Sequence, residues 1–258
     1  MPPLPTAVKS SALVSVQRSL MWQAVPMTAI RTARERAREE LTREIKQEAR
    51  RQLASEGAQR LSLRSVAREL GMASSAIYRY FPSRDELLTA LIVDAYTDLA
   101  DTADAALAAA PAAPRARWRA LCTAVRDWTH AHPHEYALVY GTPVPGYRAP
   151  QETVGPAARL PLALIAVAGE GRADAGAPPP PPAPAGPLGE QLSRLRAELA
   201  PGLPEAVLAR AAIAWTQLFG MIGFELFGHL VGSFDPADAF FAHAVEEMAD
   251  LVGLPAEG

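Results

Sequence analysis

Apolar residues recur at Ile30, Ala33, Ala37, Leu41, Ile45, Ala49 and Leu53 on an otherwise charged stretch, and this seam predicts a helix from Ile30 to Ala54. Thr32 and Glu35 make a capping box at its start. Leu63, Val66, Ala67 and Leu70 form the stripe of a second, shorter helix, with Ser62 as its cap and Gly71 where a residue of positive φ can close it without a Cβ clash. After Met72 and Ala73, the run SSAIYRYF predicts another short helix. Ile77 and Phe81 face inward, Ser74, Ser75, Tyr78 and Arg79 face out, and Pro82 ends it. Ser83-Arg84-Asp85-Glu86 is a further capping box, opening a long helix to Ala108 with Leu87, Leu88, Leu91, Ile92, Ala95 and Leu99 inside.

Beyond Pro111 and Pro114 the apolar face Trp118, Leu121, Cys122, Val125 and Trp128 predicts a helix ending near His132. Pro133 can open the next short helix, in which Tyr136 and Tyr140 precede Gly141. A helix over Gln151–Ala168 is expected to be disturbed by Pro156 and Pro161, and the Pro, Gly and Ala of residues 169–189 read as a disordered linker. Leu188, Leu192, Leu195 and Leu199 mark a further helix. The stretch Pro204 to Val231, stopped by Gly232, is apolar nearly all round, and Pro236 to Val252 completes the chain.

The two short helices about a glycine turn, the second opening on small polar residues, make a helix-turn-helix, whose second helix fits the major groove of B-DNA. The helix pattern alone also fits an ordinary small bundle. Residue identity adds to it, because Ser62, Val66-Ala67, Gly71, Tyr78-Arg79-Tyr80-Phe81 and Ser83 to Leu88 resemble the DNA-binding domain of the TetR/AcrR family of bacterial transcriptional regulators. Two positions depart from that pattern. Arg84 stands where Lys is usual, and Ala73 replaces a capping Ser, a change worth about 1 kcal/mol that leaves Ser74 as the next cap. The operator-facing residues are taken as Ser62, Arg64, Ser74, Ser75, Ala76, Tyr78, Arg79, Tyr80 and Arg84, the last placed on a phosphate because it lies beside a helix N-terminus. The segment AHPHEYALVYGTPVPGYRAP resembles a C-terminal domain type of TetR regulators.

About half the residues are apolar, the net charge is −3 and there is one cysteine, which fits a soluble cytoplasmic protein without a disulfide framework. Charge is unevenly spread. From Arg31 to Arg84 there are 13 Lys and Arg against 7 Asp and Glu, whereas Asp85 to the end has 10 against 21, so the basic portion is the nucleic-acid end. Residues 1–26, with four prolines and no sustained period, read as a disordered extension, and Met27 offers an alternative start. Their apolar patch is broken by Gln17, Arg18 and Gln23 and lacks the form of a signal peptide. Arg210, Gln217, Glu225 and His229 count against a membrane span over Ala206–Val231.

No Gly-x-Ser-x-Gly or P-loop occurs, and Gly169-Glu170-Gly171 lies in the proline-rich linker, so no enzyme and no cofactor are expected. His130, His132 and His134 alternate across Pro133 without the Cys or carboxylate cluster that would complete a metal site. Trp118, Cys122, Trp128, Tyr136, Tyr140, Trp215 and Phe219 are either core or the lining of an apolar ligand cavity. Ile213, Met221, Phe224, Phe227, Phe241, Val245 and Met248, on the two apolar C-terminal helices, are the expected dimer interface.

The expectation is an all-α protein. A three-helix helix-turn-helix domain at residues 27–83 is joined by a long helix to a helical ligand-binding and dimerisation domain within residues 84–258. Its partners are double-stranded DNA carrying an inverted-repeat operator, a small-molecule inducer and a second copy, with no membrane. The function read from this is a repressor released by a small apolar or aromatic ligand. The alternative is a helical small-molecule-binding protein that does not regulate transcription.

Overall fold

The computed structural model describes residues 33–171 and 182–256. The capping box at Thr32, the extension and most of the proline-rich segment therefore lie outside the described residues. Among the described residues there are helices and turns but no strand. The helices are α1 (Ala33–Glu56), α2 (Leu63–Glu69), α3 (Arg84–Ala109), α4 (Pro114–Ala131), α5 (Pro133–Tyr140), α6 (Val154–Glu170), α7 (Gly186–Leu199), α8 (Glu205–Leu226) and α9 (Asp238–Val252).

The described residues fall into two compact units. One comprises residues 33–99 and 128–157, the other residues 100–127 with everything from 158 onward. The first is larger than the domain drawn from sequence, because Leu138, Val144 and Tyr147 pack on the helix-turn-helix core of Ile45, Ala49, Leu53, Val66, Ile77, Phe81, Leu87 and Leu91. The Tyr147 hydroxyl lies 2.8 Å from the Thr89 hydroxyl of α3. Arg50 of α1 donates to Glu135 of α5 at 2.6 Å and to Asp94 of α3 at 2.8 Å. Burial of each such Leu or Ile side chain stabilises by about 1.5–3 kcal/mol.

In the second unit, α8 packs against α7 and α9. Three arginines of α4 fasten the C-terminal helices. Arg115 pairs with Glu246 and Asp250, Arg119 with Glu246, and Arg126 with Glu225 at 2.5 Å and Asp238 at 2.9 Å. Arg119 and Arg115 hold the Glu246 carboxyl below its usual range.

Three boundaries differ from expectation, the first being the expected linker over residues 169–189, whose two ends are helical, in α6 up to Glu170 and in α7 from Gly186. Helix α6 runs straight through Pro161. The ring forfeits one N–H bond, and the buried neighbours Leu160 and Leu164 hold the segment. Helix α8 stops at Leu226, not near Gly232. There Gly228 takes φ of 78°, and the His229 N–H donates to the Phe224 carbonyl at 2.8 Å, a Schellman closure.

Candidate nucleic-acid interface

Helix α2 begins as its sequence requires, with the Ser62 hydroxyl accepting from the Ser65 N–H at 3.4 Å. Its inward face, Leu63, Val66 and Ala67, is buried, which leaves Arg64 and Arg68 exposed. Gly71 adopts φ of 65°, and the Met72 N–H donates to the Ala67 carbonyl at 2.8 Å, turning the chain.

The following segment departs from the sequence reading. Residues 74–76 form a turn and Ile77–Arg79 a single 3₁₀ turn, not a regular α-helix. Its bonds run Ala76 to Ala73, Arg79 to Ala76 and Tyr80 to Ile77, and no side chain caps its start. With Ala73 in place of a capping serine and Pro82 close behind, too few residues remain to repay α-helix nucleation. Ile77 and Phe81 anchor the segment in the core. Ser74, Ser75, Tyr78 and Arg79 are exposed, while Ala76 and Tyr80 are half-buried.

Arg84 does not sit as expected. Its guanidinium donates to the carbonyls of Leu61 at 3.2 Å, Ala58 at 2.8 Å and Gln59 at 3.4 Å, and pairs with Asp85. The side chain is turned onto the protein, fastening the first turn of α3 to the loop before α2. Sequence reasoning missed Arg38 of α1, exposed and 5.6 Å over the Tyr80 ring. Only its basic character was visible, since the contact joins residues far apart in the chain with no periodic trace. Arg60, Arg64, Arg68 and Arg79 are exposed, so the face carrying α2 and the recognition turn presents cations of the kind that neutralise DNA phosphates.

The comparisons with known proteins agree with this geometry. Residues 45–91 match the model of bacterial regulatory proteins of the tetR family, and residues 118–248 match a tetracyclin repressor-like C-terminal domain. The HTH-type transcriptional regulator Rv1816 of Mycobacterium tuberculosis is 40% identical over 197 residues, covering 74% of this chain and 83% of that protein. The chain belongs to the TetR family of transcriptional regulators. Among solved structures, the regulatory protein SCO4313 is 35% identical with a TM-score of 0.72, over 85% of this chain and all of that one. A protein of unknown function from Rhodococcus sp. RHA1 is 25% identical with a TM-score of 0.64, over 84% of this chain and 96% of that one. TetR-family regulators are not enzymes, and this one is a DNA-binding transcriptional regulator of the helix-turn-helix type.

The sequence-derived ligand residues divide between the two units. Trp128, Tyr136 and Tyr140 belong to the unit that carries the helix-turn-helix, and Trp118, Cys122, Trp215 and Phe219 to the other. Trp128 donates to Asp98 at 2.7 Å, and Tyr136 and Tyr140 lie 5.5 Å apart, with Tyr96 edge-on to Tyr140 at 5.8 Å. Burial pushes the Tyr136 hydroxyl up to about 12 and raises Tyr96 and Tyr140 as well. Trp118 is fully buried, with its indole N–H on the Val245 carbonyl at 3.1 Å. Burial also raises the Cys122 thiol strongly, away from a reactive thiolate. Trp215 differs. It is half-buried, edge-on to Phe219, and its shielded indole N–H has no hydrogen-bond partner.

The expected interface residues also divide. Met221, Phe241, Val245 and Met248 are buried by the chain's own helices, because α8 and α9 turn these positions toward each other and α4. Their side chains are not open to a second copy. Ile213, Phe224 and Phe227 stay exposed, joined by Val231 and Phe234.

Proposed function

We propose that this regulator is a homodimeric repressor that holds an inverted-repeat operator and releases it when a small apolar or aromatic ligand binds. The observation that carries the reading is the exposed apolar row Ile213, Phe224, Phe227, Val231 and Phe234 on and just beyond α8. Several large apolar side chains left in water on one helix and the loop after it are more than soluble monomers usually keep, and a second copy would cover them with the same surface. Two-fold symmetry then favours an inverted repeat, with half-sites about one helical turn apart or somewhat more.

Release follows from linkage. A ligand that binds better to a conformer with poorly placed recognition turns weakens DNA binding by the same factor. Trp215 supports the ligand class, offering an aromatic face beside Phe219 and one unspent donor. The kinship with transcriptional regulators favours a cytoplasmic location over a membrane span, and α8 buries Ala211, Ala214, Leu218 and Ile222 within the chain itself. Selection from a random duplex pool, followed by challenge of the complex with aromatic compounds, tests the reading. Recovered sites should be inverted repeats and one compound class should dissociate the complex. Recovery of single half-sites only, or tighter binding with ligand, would overturn it.

A further inference from the structure

The recognition turn is short, and the residue three beyond its last carbonyl has no N–H to offer. The 3₁₀ pattern pairs an N–H with the carbonyl three residues back, as Arg79 does with Ala76 and Tyr80 with Ile77, and it gives way at Phe81, whose N–H reaches the Ile77 carbonyl four back at 3.0 Å. The donor due to reach the Arg79 carbonyl is residue 82, which is proline and has no N–H. A guanidinium from another helix stands there instead. Arg38 Nη2 donates to the Arg79 carbonyl at 3.3 Å, and the same group lies over the Tyr80 ring with its carbon 5.6 Å from the centroid. Arg38 is exposed, so neither contact is forced by core packing.

We propose that Arg38 is a positioning residue for operator recognition: its guanidinium replaces the N–H absent at Pro82 and fixes the end of the turn from which Tyr78 and Arg79 project. Ile77 and Phe81 hold the turn's inner side, but nothing in the core reaches the carbonyl at its outer end. Without Arg38 the turn keeps its place on the protein and loses its set orientation toward base edges. Discrimination between sequences suffers more than attraction to DNA as such, since base contacts carry specificity and phosphate contacts carry general affinity. The proposal rests on this segment being the base-reading element.

The test uses the full chain and a duplex selected from a random pool, with an unrelated duplex as the non-specific competitor. The ratio of the two affinities is the readout. Arg38→Met should lower that ratio about tenfold, the scale of one charge-assisted hydrogen bond, while the chain keeps its melting temperature. Pro82→Ala restores an N–H at position 82, and in the Arg38→Met background it should recover part of the ratio, which loss of a phosphate contact would not allow. Equal loss of both affinities in Arg38→Met would make Arg38 a phosphate contact only and overturn the proposal. So would a double variant no better than Arg38→Met. A wild-type chain that selects no sequence would instead remove the base-reading assignment, and the proposal with it.

Discussion

Arg84 illustrates how a residue's role depends on where its donors go. A guanidinium at the start of a helix suits a phosphate, yet here it reaches three carbonyls of the loop before α2. Arg84→Ala should therefore lower unfolding stability by about 1–2 kcal/mol in urea, because those carbonyls lose charge-assisted bonds. The slope of log affinity against log salt should stay unchanged, and a slope smaller by about one would return Arg84 to the phosphate role. The tyrosines give a pH prediction. A hydroxyl whose folded value is raised by burial stabilises the fold fully below the unfolded value near 10, and this stability is lost as pH rises through the folded value. For Tyr136 that window runs to about 12, with Tyr96 and Tyr140 shifted the same way. Tyrosinate absorbance should rise late and together with loss of helix. An ordinary free-tyrosine titration in a still-helical protein would contradict their burial. The caps at Ser62 and Ser83 were legible in the sequence because each is a local pattern. The Arg84 and Arg38 contacts were not, because long-range carbonyl partners leave no periodicity.

At the scale of elements, apolar spacing located α1, α3, α4 and α5 within a few residues, and Pro133 opened α5 as expected. The recognition segment was misjudged as a helix because its inward pair, Ile77 and Phe81, has helical spacing, and the Phe81 N–H does donate to the Ile77 carbonyl at 3.0 Å although the residues between them make only a 3₁₀ turn. Helix α8 raised a different difficulty. An apolar surface on every side says that all of it is to be covered, without saying which half is covered by the same chain. Its buried residues include Ala211, Ala214, Leu218 and Ile222, and the arginines of α4 secure both C-terminal helices. Arg126 and Glu225 are each 13% exposed, and burial raises the cost of separating them. Glu225→Gln should destabilise the protein by about 2 kcal/mol, less than a fully orphaned buried charge because Asp238 still pairs with Arg126. A change below about 0.5 kcal/mol in urea unfolding would show that this pair is only a surface bridge.

For the whole molecule, the central claim is that the outward row of α8 joins two copies and that this joining makes an inverted repeat readable. Phe224 is 59% exposed on that row, with His229 its ring neighbour at 5.1 Å, so replacing it leaves the chain's own core intact. Apolar burial at about 25 cal/mol per Å² drives the association, and a carboxylate at the centre of a dry interface costs several kcal/mol. The most direct measurement is sedimentation velocity and a gel shift on the same samples of wild type and Phe224→Glu. The wild type should sediment as a dimer and bind the selected inverted repeat, and the variant should sediment as a folded monomer with that affinity lost. A monomeric wild type, or a monomeric variant that still binds the repeat at full affinity, would contradict the account.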